Sequence, residues 1–235
     1  MSASPLRLYV DLSKHDHWHR SEWERTLAAG RSDIVRLVAG EDQAECILET
    51  ATVYHYAPGG VKRGFKEPDC PHRFVWDPGD FPTGLQSGLY ASLPRFLFES
   101  GRHHTFCYPI TYNERVSPAD FSEATRLYGF VGGLTSGVRY RMVELLNRES
   151  RSGEHLFVIR NGPWDAMFDR SGLQAKAEFT RALWSSKFFL FPRGNGVGSI
   201  RLFETMKAAR VPVIISDEYV PPGGNRLGEL QCSYS

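Results

Sequence analysis

Two arginines, a glutamate and a run of alternating glycines cluster in PRGNGVGSIRLFE: Arg193, Gly194, Gly196, Gly198, Ser199, Arg201 and Glu204. Arginine is always charged and carries a planar fork of donors, which suits the paired oxygens of a phosphate or diphosphate. Glycines let a main chain approach a ligand closely. Ser199 stands where a helix N-cap is expected, and a helix N-terminus offers unpaired N–H groups and partial positive charge to a phosphate. Arg201 and Glu204, three apart, share one side of that helix. A carboxylate one turn beyond a diphosphate could accept hydrogen bonds from the vicinal hydroxyls of a ribose. An ordinary ion pair between the two residues accounts for the same spacing.

The elements that must position these residues follow from the flanking pattern. An apolar run over 188–191 leads into the glycine loop, and a helical pattern follows over 199–209. Ile200, Phe203 and Met206 form the helix side expected to face a sheet. A β-branched run over 211–216 completes a strand–loop–helix–strand unit. Two common phosphate motifs are excluded. Ser199 stands where the third glycine of G-x-G-x-x-G should be, and the loop has no Gly-Lys-Ser/Thr as in a Walker A sequence.

Upstream, a strand over 128–131, a glycine loop containing Gly132 and Gly133, and an amphipathic helix over 138–147 repeat the pattern, with strands and helices continuing at 155–159 and 179–185. Strands alternating with helices imply a parallel sheet covered on both faces. The polar stretch TYNERVSPAD at 111–120 reads as a linker. It divides an amino-terminal domain, 1–115, from a carboxyl-terminal domain, 116–235, which reads as incomplete because the chain ends soon after Asp217. In the first half, strands are expected over 7–12 and 73–76, with a strand or helix end over 33–39 and one or two strands over 45–56. The turn DPGDFP leaves Asp77 and Asp80 exposed at a strand tip.

His15, His17 and His19 in KHDHWHR, near Asp11 and Asp16, would share a face on a strand and resemble a metal site. They equally suit a polar connection into a helix over 21–29, whose SEWE start fits a capping box. Cys46, Cys70, Cys107 and Cys232 are scattered without a CxxC pair, which argues against zinc and a disulfide framework. A formal charge of +1 gives no bulk reason to expect nucleic acid. No window has the roughly 18 apolar residues of a membrane span. With no leader pattern at its start, the sequence reads as soluble and cytoplasmic.

The order S-K-F-x-L-x-P-R-G, S-x-R-x-x-E and P-V-I-I-S-D-x-Y over 186–222 resembles the donor-binding region of the exostosin family of glycosyltransferases. LYGFVGGLTSGVRYRMVELL over 127–146 resembles that family's earlier strand–loop–helix. The resemblance implies an α/β fold of the GT-B type, with two facing Rossmann-like domains built on parallel sheets. It implies inverting transfer of a sugar from a nucleotide-sugar donor to a glycan or other hydroxyl acceptor, as in polysaccharide biosynthesis. Carried over by position, Arg193 and Arg201 would neutralise the diphosphate and Glu204 would hold the ribose. Gly196 and Gly198 would allow close approach, and Gly132, Gly133 and Arg139 would line the opposite side of the phosphate site. Fixed donors of this kind can replace a metal ion, so no cofactor is expected. An inverting transfer also needs a base. Asp77 and Asp80 are the best-placed carboxylates, with His55 next. The alternative is a non-catalytic nucleotide-sugar or glycan-binding protein, and a metal-dependent hydrolase built on the amino-terminal histidines is a third class.

Overall fold

A computed structural model describes residues 4–11, 33–50, 56–57, 60–61, 72–80, 82, 84, 86–106, 113–149, 153–159 and 170–222. Asp16, the three clustered histidines, His55, the helix expected over 21–29 and all the cysteines but Cys46 lie outside these residues. The chain divides into two compact units: Met1–Ile110 with Glu218–Ser235, and Thr111–Asp217. Each is built on a parallel sheet, in the Rossmann-like manner.

In the first unit, β1 (Leu6–Asp11) lies between β2 (Val35–Leu37) and β3 (Cys46–Thr50), followed outward from β3 by β6 (Arg73–Asp77), β7 (Gly88–Tyr90) and β8 (His103–Thr105). Two short strands, β4 (Tyr56–Ala57) and β5 (Gly60–Val61), form a separate antiparallel pair. Alternate residues bury opposite faces, as the two-residue period requires. Leu48 and Trp76 pack with Leu8, Val10, Leu89 and Phe106, while Val75, Tyr90 and Leu93 pack with Leu97 and Phe98. A Cβ at Gly88 would run into the Val75 main chain, so this strand must carry glycine there. Residues after Asp217 return to this unit. The Arg95 N–H donates to the Glu218 carbonyl at 2.9 Å, and the Thr105 hydroxyl to the Pro221 carbonyl at 2.7 Å.

The tip of β6 departs from expectation. Asp77 is buried, at 2 % exposure, while Asp80 is exposed. The Gly79 N–H donates to Asp77 Oδ1 at 2.8 Å, so this carboxylate folds back on its own turn instead of projecting into solvent.

The second unit has the strand order β10 (His155–Ile159), β9 (Arg126–Gly132), β11 (Ser186–Pro192), β12 (Val211–Ile215). The connecting helices are α1 (Gly137–Glu149), α2 (Arg170–Ser185) and α3 (Ile200–Lys207). From β9 the chain moves one way through α1 to β10. It then crosses back through α2 to β11 and on through α3 to β12. Right-handed crossovers therefore put α1 on one face and α2 with α3 on the other. Packing agrees. Phe130, Met142 and Leu190 form a cluster under α1, whereas Phe179 of α2 meets Phe189 edge-on at 5.6 Å. A Cβ on Gly129 would stand 2.5 Å from Ser186 Oγ, so glycine lets β9 and β11 lie close together.

The segment that reads as a linker is instead a packed strap from Asn113 to Ala124. Asn113 donates through Nδ2 to the Lys176 carbonyl and Thr180 Oγ1, both at 3.0 Å, and Trp184 Nε1 donates to the Ser117 carbonyl at 3.1 Å. Val116 is buried. Polarity misleads here because these polar groups are spent on α2. The α3 helix departs from expectation too. Leu202, Glu204 and Thr205 are its buried residues, and Met206 is 58 % exposed.

Just beyond α3, Ala209 takes a φ of +55°, the left-handed position that follows many helices and favours glycine. Ala209→Gly is therefore expected to stabilise the protein by about 1 kcal/mol, read as a higher urea midpoint. An unchanged or lower midpoint would show that Ala209 carries no strain.

Candidate functional site

The loops after β9 and β11, residues 133–136 and 193–199, leave adjacent parallel strands in opposite directions. Such a switch in winding opens a crevice at the carboxyl ends of the strands, where ligands of open α/β sheets bind. The N-termini of α1 and α3 both open there.

The crevice is held by side chains that donate to main-chain carbonyls. From the α1 face, Arg139 Nη1 donates to the Gly133 carbonyl at 2.8 Å, and its Nε to the Pro192 carbonyl at 3.2 Å. Its guanidinium lies 5.8 Å from the Phe130 ring centroid. From the other face, Arg201 Nη1 donates to the Val131 carbonyl at 2.5 Å, with its guanidinium 4.7 Å from the Phe179 ring centroid. Both cations are held over aromatic faces, which favours them electrostatically. Ser136 caps α1, its hydroxyl accepting the Arg139 N–H at 3.4 Å and donating to the Arg193 carbonyl at 2.6 Å. Ser136 and Thr135 escaped sequence reading. The signal was there, since a serine directly before a helical run is a preferred cap.

Among the described residues only Gly84, Gly101 and Gly153 are glycines with positive φ, so the glycines of the 193–199 loop serve close approach rather than unusual backbone angles. For Gly194 the approaching group is within the protein: an added Cβ would stand 2.6 Å from Arg139 Nη2 and 3.4 Å from Thr135 Oγ1. Gly132 backs onto the Phe130 ring, at 3.1 Å from an added Cβ. Gly196 is buried and Gly198 half-buried. Ser199 occupies the cap position of α3 in extended conformation, yet its hydroxyl makes no capping bond. Arg193 projects an exposed side chain, and among the described residues its guanidinium makes no hydrogen bond or ion pair.

Glu204 is 6 % exposed, and burial pushes its carboxyl up to about 7, against the opposing pull of the Arg201 charge and the Asn113 main-chain N–H. Its Oε1 has no hydrogen-bond partner among the described residues. The structure thus gathers Gly132, Gly133, Arg139, Arg193, Gly196, Gly198, Ser199, Arg201 and Glu204 into one unit, with Glu204 turned inward against the strap. Asp77 and Asp80 belong to the other unit. Among the described residues no three His, Cys, Asp or Glu side chains could hold a metal ion, and no helix is long and apolar enough to cross a membrane.

Residues 114–233 match the exostosin GT47 domain, which spans the crevice and both of its loops. The chain belongs to the exostosin GT47 family. It is also 31 % identical over 102 residues to the Exostosin-1 homolog of Caenorhabditis elegans, a match covering 40 % of this chain and 25 % of that protein. The chain thus matches only about a quarter of that relative's length. The exostosin GT47 family is a glycosyltransferase family, and the crevice of the second unit lies wholly inside the matched region.

Proposed function

We propose that this chain binds a nucleotide-sugar donor in the crevice between β9 and β11, and transfers the sugar, with inversion, to a glycan or other hydroxyl acceptor. The observation that carries this is the convergence of Arg193, Arg201, Arg139 and the uncapped α3 N-terminus on one switch-point crevice. In such a transfer the acceptor oxygen attacks the anomeric carbon, the bond from that carbon to the diphosphate oxygen breaks, and a base takes the acceptor proton. Developing charge on the diphosphate would meet Arg193 and the N–H groups opening α3, held in place before reaction. Fixed donors then do the work for which a metal ion is otherwise recruited. Glu204, with Oε1 unsatisfied among the described residues, is read as the acceptor of ribose hydroxyl hydrogen bonds. For the base we favour Asp80 over Asp77, because Asp80 is exposed and Asp77 is engaged by its own turn.

Titration calorimetry with UDP, GDP, ADP and CDP tests the binding step. One of the four is expected to bind, and Arg201→Ala and Glu204→Ala are each expected to weaken it by about tenfold or more, the worth of one charged hydrogen bond. Undiminished affinity in both variants would sink the site assignment. Transfer is tested by supplying the matching nucleotide sugars with glycan acceptors and measuring released nucleoside diphosphate. Binding without release would leave the non-catalytic alternative standing.

A further inference from the structure

The arginines at the crevice are not equivalent. Arg139 spends Nε on the Pro192 carbonyl, at the end of β11 where the second loop begins, and Nη1 on the Gly133 carbonyl of the first loop. Ser136 bridges the same two loops from its hydroxyl to the Arg193 carbonyl at 2.6 Å. Gly194 leaves the notch that the guanidinium fills, since an added Cβ would stand 2.6 Å from Nη2 and 3.0 Å from Cζ. Arg193, between Pro192 and Gly194, has its carbonyl held by Ser136 and its N–H donating to the Ile215 carbonyl at 3.0 Å. Its main chain is therefore fixed on both sides, while its guanidinium is exposed and makes no hydrogen bond or ion pair among the described residues.

We propose that Arg139, seated in the notch of Gly194 and assisted by Ser136, is a positioning residue: it latches loop 133–136 to loop 193–199 and so presents Arg193 as the cation that grips the donor's diphosphate. The latch deepens the nucleotide-sugar reading above and rests on it for the identity of the ligand. A planar fork suits the task, because one guanidinium reaches the carbonyl of the first loop and the carbonyl from which the second loop departs at fixed angles, which a lysine ammonium on a flexible stem does not. Holding the loops beforehand lowers the ordering cost that a ligand would otherwise meet on binding. Gly194 is then kept small by the latch rather than by the phosphate.

The test has a ligand-free arm and a binding arm. In the free protein, Arg139→Ala and Gly194→Ala are each expected to speed amide hydrogen exchange across 133–136 and 194–199 by about tenfold or more, as local opening becomes easier. Arg193→Ala should leave that exchange as it is. In calorimetry with the nucleoside diphosphate that binds, Arg139→Ala and Gly194→Ala each weaken affinity about tenfold, and the double variant is no weaker than either. Arg139→Lys does not restore binding. Arg193→Ala weakens binding and flattens its salt dependence, as removal of a direct charge contact should. Arg139→Ala keeps the wild-type salt dependence. Unchanged exchange in Arg139→Ala overturns the latch, as does a loss of salt dependence equal to that of Arg193→Ala, or additive effects of Gly194→Ala and Arg139→Ala. If no nucleoside diphosphate binds the wild-type protein, the nucleotide-sugar reading fails, and the exchange arm alone decides the latch.

Discussion

Replacing Arg210 by lysine is expected to lower the stability of the second unit by about 3 kcal/mol, a loss on the scale of stripping a buried charged group of its partners. Arg210 is 3 % exposed, and all five of its side-chain N–H groups find carbonyls. Nε donates to Leu183 at 3.2 Å; Nη1 donates to Ala119 at 2.7 Å and Ala209 at 3.2 Å; Nη2 donates to Asp120 at 2.9 Å and Trp184 at 2.8 Å. One planar group thus satisfies the end of α2, the strap and the turn after α3. Lysine keeps the charge but brings three donors at one point, and leaves several buried carbonyls unpaired. Urea unfolding followed by Trp184 fluorescence reads the effect. A loss below about 1 kcal/mol would mean that water replaces the guanidinium without cost, and that the strap is held by its other contacts, among them Asn113, Val116 and the Trp184–Ser117 hydrogen bond.

Glu204→Gln should act in the opposite direction, with a gain that grows as pH rises from 4.5 to about 7. The carboxyl sits at about 7 in the fold against an ordinary value of 4.5. Below 4.5 the group is protonated in both folded and unfolded chains and costs nothing. Between there and about 7 the unfolded chain ionises first, so stability falls as pH rises through that window. Above it the full penalty of burying a poorly paired charge remains, about 3 kcal/mol from the size of the shift. The glutamine variant is thus expected to gain up to about 3 kcal/mol over wild type at pH 8 and to match it near pH 4 in urea unfolding. A gap of equal size at both values would mean that charge is not what burial penalises here. A ligand whose hydroxyls donate to the carboxylate favours the ionised form. Nucleoside diphosphate binding should then release a proton near pH 7 and strengthen toward pH 8, and the 2′-deoxy analogue should lose part of that gain.

The β–loop–helix–β pattern was legible because hydrophobic runs, glycines and helical spacing all agreed within 186–216. Agreement across levels of this kind is what makes a segment readable. Of the three helices expected in the second half, α1 and α3 lie where the pattern indicated and α2 begins at Arg170, well before its expected start at 179; every strand of the second sheet lies where the pattern indicated. Tertiary partners were not legible. Arg210 looked like one more charge in AARVPV, although its five acceptors lie on three separated stretches of chain. The Asn113–Ala124 strap looked like a linker because its polar groups find their partners on α2 and Arg210. Asp77 looked exposed because composition cannot say whether a turn aspartate faces water or its own main chain. Gly194 was readable as a close-approach residue, but not that the approaching group would be Arg139 rather than a ligand.

The adjacency of β9 and β11 has a kinetic consequence. Gly129 is in register with Phe189, so the crevice is made by strands far apart in sequence, while each strand's own loop and helix are local. Closing that long segment costs chain entropy before any contact across it is gained. A chain with α1 and α3 formed but β9 and β11 still apart would possess every residue of the crevice and no crevice. On the proposed reading, affinity for the donor would report the β9–β11 pairing, and a mutation that loosens Gly129 against Ser186 is expected to weaken it.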